Sequence, residues 1–158
     1  MTTIPIGFEE QTQAVLPAHE SYFSGSISFK EGHGWAHDWL VNWTSPNDQI
    51  HWDVEVEAPV TYQVYLSYTV PESDAGAIVQ LEAGDNILID TLSTAFDPAY
   101  IPSPDRIQRI EVYEKEWAKT YLGDISLQSG SQTLSLSAQQ ISGNQVAEVK
   151  GLILEKVN

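Results

Sequence analysis

The sequence predicts an all-β protein, an antiparallel β-sandwich of jelly-roll type, and three observations carry that prediction. Apolar and polar residues alternate with period two, turn-forming clusters interrupt the alternation at short intervals, and no long segment has helical periodicity. A length of 158 residues suits one domain, with room for a single real core.

Taken in order, the first strand candidates are Ser26 to Lys30 and Leu40 to Trp43. The clearest follows: Ile50, Trp52, Val54 and Val56 share one parity, against His51, Asp53, Glu55 and Glu57 on the other, the pattern of a half-buried strand. After Ala58-Pro59 the alternation restarts, with Tyr62, Val64, Leu66 and Tyr68 facing in and Gln63, Ser67 and Thr69 facing out. Tyr65 is the exception. The short turn predicts that these two strands are neighbours. Ala77 to Ala83, Ile87 to Leu92, Ile110 to Trp117, Tyr121 to Gln128, Thr133 to Ala138 and Val146 to Glu155 complete the set. Gly84-Asp85-Asn86, Ser129-Gly130-Ser131 and Ser142-Gly143-Asn144 punctuate it as turns. Residues 94–109 hold Pro98, Pro102 and Pro104 and read as a long loop leading into a strand. Trp43 and Trp52 sit on strands with apolar neighbours of the same parity and are assigned to the core.

The formal net charge is -15. Such a surface repels phosphate backbones and anionic membranes, so nucleic acid and membrane surfaces are poor partners. No apolar run reaches the roughly 20 residues of a membrane helix, and membrane insertion is not expected. Residues 1–16 lack the pattern of a signal peptide, so either the chain is intracellular or an export signal lies outside this sequence. Without cysteine there is no disulfide, thiolate nucleophile or Cys-ligated zinc.

Against this background the basic residues are unevenly placed. Four of seven, Arg106, Arg109, Lys115 and Lys119, fall within fourteen positions, where Glu111, Glu114 and Glu116 leave a local charge of +1. Tyr113 and Trp117 lie in the same strip, which is therefore where an anionic or sugar-like ligand would land. Arg106 and Arg109 suit forked hydrogen bonds to sulfate or carboxylate, although Arg109 and Lys115 each have a glutamate two residues away on the expected strand face. A second aromatic loop is Gly32-His33-Gly34-Trp35-Ala36-His37-Asp38-Trp39. Its tryptophans could stack on a pyranose or close the end of the core. His33 and His37 have a spacing that permits zinc without being diagnostic of it.

Catalytic motifs are not legible: there is no G-x-S-x-G, H-E-x-x-H or phosphate-binding glycine loop. The expectation is a non-catalytic domain. A small polysaccharide lyase or hydrolase, using Tyr100 with His37, is kept as an alternative.

The run Leu40-Val41-Asn42-Trp43-Thr44-Ser45-Pro46-Asn47-Asp48-Gln49-Ile50-His51-Trp52, followed by Ala58-Pro59-Val60-Thr61-Tyr62-Gln63-Val64, resembles the β-sandwich appended to bacterial sulfatases and α-L-fucosidases. So do Leu122-Gly123-Asp124-Ile125-Ser126-Leu127, Gly130 and Leu134-Ser135-Leu136. The segment Asp105 to Trp117 is most similar to the form attached to polysaccharide sulfatases, and the whole resemblance covers roughly residues 14–156. It implies a carbohydrate-binding module that targets a secreted or periplasmic glycan-degrading enzyme to a polysaccharide, sulfated or uronic-acid-bearing. The catalytic domain of that enzyme is the implied protein partner, and a monomer is expected. The alternative within the same resemblance is an accessory domain that packs on its catalytic partner and binds no sugar.

Such modules bind sugar in loops at one end of the sandwich or on its concave face. Trp35, His37, Trp39, Tyr100 and Asn144 match the loop location by position in the chain, and the basic strip adds Arg106, Arg109, Trp117 and Lys119. No cofactor is required. Several related modules hold a structural calcium through an early glutamate and a residue near the C-terminal strand, for which Glu9 or Glu10 and Glu148 are the nearest equivalents.

Overall fold

The computed structural model describes residues 3–31, 38–96, 101–102, 113–114 and 117–157, the two short pairs by their backbone alone. The strands in chain order are β1 (Thr3–Ile6), β2 (Gln13–Pro17), β3 (Tyr22–Ser24), β4 (Ser28–Phe29), β5 (Leu40–Val41), β6 (Gln49–Val56) and β7 (Val60–Thr69). They continue as β8 (Ile78–Ala83), β9 (Asn86–Thr91), β10 (Ile101–Pro102), β11 (Tyr113–Glu114), β12 (Ala118–Leu127), β13 (Gly130–Gln140) and β14 (Glu148–Lys156). The only helical pieces among the described residues are two short 3-10 turns.

The first sheet runs β1-β6-β13-β8-β9 with β3 also on β6, and the second runs β12-β7-β14-β5-β4 with β2 also on β14. Among the described residues all strand pairings are antiparallel except that of β1 with β6. The fold is a jelly-roll β-sandwich. One sequence expectation is corrected here: β6 and β7 follow each other across a short turn but lie in different sheets. Residues 57–59 therefore cross the sandwich. This follows from the core, since Trp52 and Val54 on one strand and Tyr62 and Val64 on the other are buried between the two sheets, where both strands place their apolar parity.

That core is continuous. Trp43 and Trp52 are buried in it as the sequence suggested, with Ile50, Leu66, Leu81, Ile125, Leu136 and Leu154 filling the space between. Tyr62 reaches the end of the sandwich and its hydroxyl accepts the Gly7 N–H at 2.9 Å. On one flank the edge strands β9 and β12 meet, where the Asn86 side chain donates to the Ser126 carbonyl at 2.9 Å. That bond joins the sheets into a partly closed barrel.

Register also fixes which connections share an end. Leu127 pairs with Val60 and Gly130 with Val56 at one end, while Ala118 pairs with Tyr68, Glu148 with Thr69, and Ser137 with Gln49 at the other. The second end therefore receives the connections 42–48, 70–77, 92–117 and 141–147, whereas 30–39 enters β5 from the opposite side, because β5 runs antiparallel to β14 toward that end.

Candidate functional site

The proline-rich connection and the turn carrying Asn144 start and finish at that second end, and the early loop has its root beside it, where Trp39 meets Glu148. The neck of the early loop is closed by Asp38, whose buried carboxylate accepts the N–H groups of Glu31 and Trp39, both at 2.9 Å. Lys30 N–H bonds to the Trp39 carbonyl at 2.9 Å one step further in. The long proline-rich connection is held at its start by a bridge between Val70 and Phe96 and by the Tyr68 hydroxyl, which donates to the Thr94 carbonyl at 2.9 Å. Ile101 and Pro102 pair with Glu114 and Tyr113 within it.

The two connections are joined through their roots. Trp39 and Trp117 meet edge to face, with ring centroids 5.4 Å apart. The Trp39 indole N–H donates to Glu148 Oε1 at 2.9 Å, and Trp39 itself is only 4% exposed. This corrects one assignment. A sugar cannot stack on a ring so fully covered, so Trp39 is a structural clasp, and Trp117, which is partly exposed, is its outer half.

The turn carrying Asn144 is fastened separately. Asp74, nearly fully buried, accepts the Asn144 N–H at 2.8 Å and the Gln145 side-chain amide at 3.1 Å. Gly143 permits the approach, because a Cβ there would fall 2.7 Å from the Ser73 carbonyl oxygen. The Asn144 side chain is left exposed at the rim. Trp35, His37, Tyr100, Arg106 and Arg109, and with them His33 and Lys115, lie outside the described residues.

Lys119 is the one basic residue of the strip among the described residues. It lies on the outward face of the second sheet, 4.3 Å above the Tyr65 ring, and donates to Glu155 Oε1 at 3.0 Å. Tyr121 stands beside Tyr65 with centroids 5.5 Å apart, and its hydroxyl donates to Asp124. These two tyrosines were missed as functional candidates. The available signal was Tyr65, an aromatic on the polar parity of its strand.

The suggested calcium ligands are not brought together. Glu9 sits beside the far end of β14, where its carbonyl accepts Lys156 Nζ at 3.0 Å, and Glu148 begins that strand at the loop end. Eight residues of strand separate them by roughly 26 Å, so Glu148 cannot share an ion with Glu9 or its neighbour Glu10. Among the described residues there is no group of three or more His, Asp or Glu side chains placed to hold a metal. No helix among them is long and apolar enough to cross a membrane.

Known structures share this architecture at low identity. A family 35 carbohydrate-binding module from Clostridium thermocellum is 12% identical and matches over 91% of this chain and 98% of its own, with a TM-score of 0.62. A Podospora anserina β-(1,4)-mannanase that carries such a module is 8% identical over 93% of this chain, which spans 28% of the enzyme, again with a TM-score of 0.62. The mosquito-larvicidal Cry4Aa toxin of Bacillus thuringiensis is 14% identical over 99% of this chain and 25% of its own, with a TM-score of 0.68. Identities this low establish a shared fold, and a fold found in both a sugar-binding module and a toxin does not select a function. The chain is thus a jelly-roll domain of the shape used by carbohydrate-binding modules. It belongs to the family described as a domain of unknown function, DUF5077, which matches residues 21–158. No curated protein matches it significantly.

Proposed function

We propose that this domain is a non-catalytic carbohydrate-binding module that directs a secreted or periplasmic glycan-degrading enzyme, of the sulfatase or glycosidase kind, to a sulfated or uronic-acid-bearing polysaccharide. The observation that carries the reading is the contact of Trp39 with Trp117, which sets the root of the aromatic early loop against the root of the proline-rich connection, beside Glu148 at the second end of the sandwich. Loops anchored at their roots can present side chains in fixed positions while keeping sequence freedom at their tips. The fold shared with carbohydrate-binding modules supports the same reading.

In this scheme Trp35, His37, Tyr100 and Trp117 offer ring faces and hydrogen-bonding groups to the sugar, and Asn144 adds an amide at the rim. Arg106 and Arg109 select anionic substituents through forked hydrogen bonds. Lys119 contributes less than the sequence suggested, because Glu155 already neutralises it. A shallow site gives modest affinity, which tethering to a catalytic domain multiplies by raising effective concentration.

Affinity gels with neutral, sulfated and uronic polymers, run at low and high salt, test this. Retardation by an anionic polymer that weakens with salt and is lost in Arg106→Ala is the expected result. A folded sample retarded by none of the polymers would overturn it.

A further inference from the structure

The outward face of the second sheet can be followed row by row from the strand register. Nearest the loop end, Glu148 pairs with Thr69, beside the contact between Trp39 and Trp117. In the next row Gly151 pairs with Pro17 on one side and Ser67 on the other, and Ser67 with Lys119. Then Ile153 stands between Val15 and Tyr65, and Tyr65 pairs with Tyr121. Beyond these, Glu155 pairs with Gln13 and Gln63, and Gln63 with Asp124.

Side-chain size turns these rows into relief. The row of Pro17, Gly151 and Ser67 is low, the tryptophan pair stands on one side of it, and a ridge of Val15, Ile153, Tyr65 and Tyr121 stands on the other. A cavity of about 130 Å³ opens along the low row against Val15 and Ile153, with Lys150 on its wall. The floor is built in: Gly151 has φ +154°, and a Cβ there would lie 2.3 Å from the Leu16 carbonyl oxygen. The ridge is accessible, with Val15 50% and Tyr121 48% exposed.

We propose that this trough is a second carbohydrate site, distinct from the loop end, which takes a neutral oligosaccharide laid across the strands. Three features select that occupant. The apolar ridge is one side chain wide and flanked by hydrogen-bonding rows, which suits a pyranose chain with apolar ring faces and hydroxyl edges; a protein partner would need a patch apolar in two dimensions. Both ammonium groups of the trough are engaged, Lys119 with Glu155 and Lys150 with the Asp38 carbonyl at 3.4 Å, so the site offers hydrogen bonds in place of an uncompensated positive charge. The ridge crosses four strands, roughly 14 Å at the usual inter-strand spacing, long enough to seat a short oligosaccharide. The inference shares its ligand class with the loop-end reading, and Trp117 and Lys119 border both sites.

Isotope-labelled full chain titrated with cellohexaose and mannohexaose tests it by amide shifts. The expected response falls on Gln63, Ser67 and Asp124, is insensitive to salt, weakens about tenfold in Tyr121→Ala and persists in Tyr121→Phe, which keeps the ring. Arg106→Ala leaves it unchanged, while Tyr121→Ala leaves retardation by anionic polymers unchanged, so each site can fail without the other. Absence of shifts on this face with both hexasaccharides would overturn the proposal. Undiminished binding by Tyr121→Ala would do the same. Self-association that Tyr121→Ala abolishes, with no sugar response, would also overturn it and make the ridge an interface between copies.

Discussion

The two sheets share one core, yet their outward faces are built on opposite plans. On the first, polar side chains satisfy one another: Asp53 accepts the Tyr22 hydroxyl at 2.9 Å and the Thr133 hydroxyl at 2.8 Å, and Glu55 accepts Ser131 at 2.9 Å. His51 bonds to Ser135 at 2.8 Å and stacks under Tyr22 at 5.0 Å. Among the described residues the exposed large apolar side chains of that sheet are Ile87 and Ile89 on the edge strand. On the second face the apolar residues instead form a continuous row across four strands, beside buried Trp39. A solvated sheet face needs only hydrogen-bonding side chains that water can replace. A face that keeps aromatic rings in water, next to a trough that a glycine holds open, has a composition that solvation alone does not explain.

The largest expected effect that would sharpen this contrast is at Trp39. If the second face carries a structural clasp, Trp39→Ala behaves as a core truncation and lowers stability by about 3–5 kcal/mol in urea denaturation. A loss no larger than that of a surface aromatic would dissolve the distinction between clasp and ligand site. Next is Gly151→Ala, in which backbone strain and the approach to Leu16 are expected to cost about 1–3 kcal/mol and to loosen β2. Hydrogen exchange should show the loss at residues 13–17 and leave the first sheet protected; uniform loss would mean that the two faces are not separable.

The smallest effect belongs to the first face. Burial holds the His51 imidazolium below its ordinary value, against a weaker opposing pull from Asp53. A histidine depressed in the folded chain stays neutral where the unfolded chain takes up a proton, so its contribution is complete above about pH 6.5 and is lost as pH falls through the folded value. The urea midpoint should therefore decline between about pH 7 and pH 5 more steeply in the wild type than in His51→Gln. Identical slopes would place the histidine outside the packed polar network.

What the sequence revealed follows the same division. Where an outward face is polar, as along β6, the alternation is clean and both the strand and its buried side were evident from Ile50 to Glu57. Where the outward face is apolar, alternation fails. Val15 between Ala14 and Leu16 concealed β2 altogether, Tyr65 stood out as an exception, and Ile153 merged with Leu152 and Leu154 into an unbroken apolar run. The irregularities that blurred the secondary structure are the residues that line up as the ridge, and only the register could show that they share a row. The shared end of the proline-rich connection and the Asn144 turn was partly legible from their order. The burial of Trp39 was not, since it depends on Glu148, 109 positions away.

The place of β14 in the second sheet has a kinetic consequence. It pairs with β2, β5 and β7, so three strands made early in synthesis wait for residues 148–156 before their shared sheet can close. Contacts so distant in sequence give slow folding, on the millisecond-to-second scale typical of β-sandwiches. During that interval the apolar inner sides of the waiting strands are open to other chains, and the nascent domain is at its most prone to aggregation until its last strand arrives.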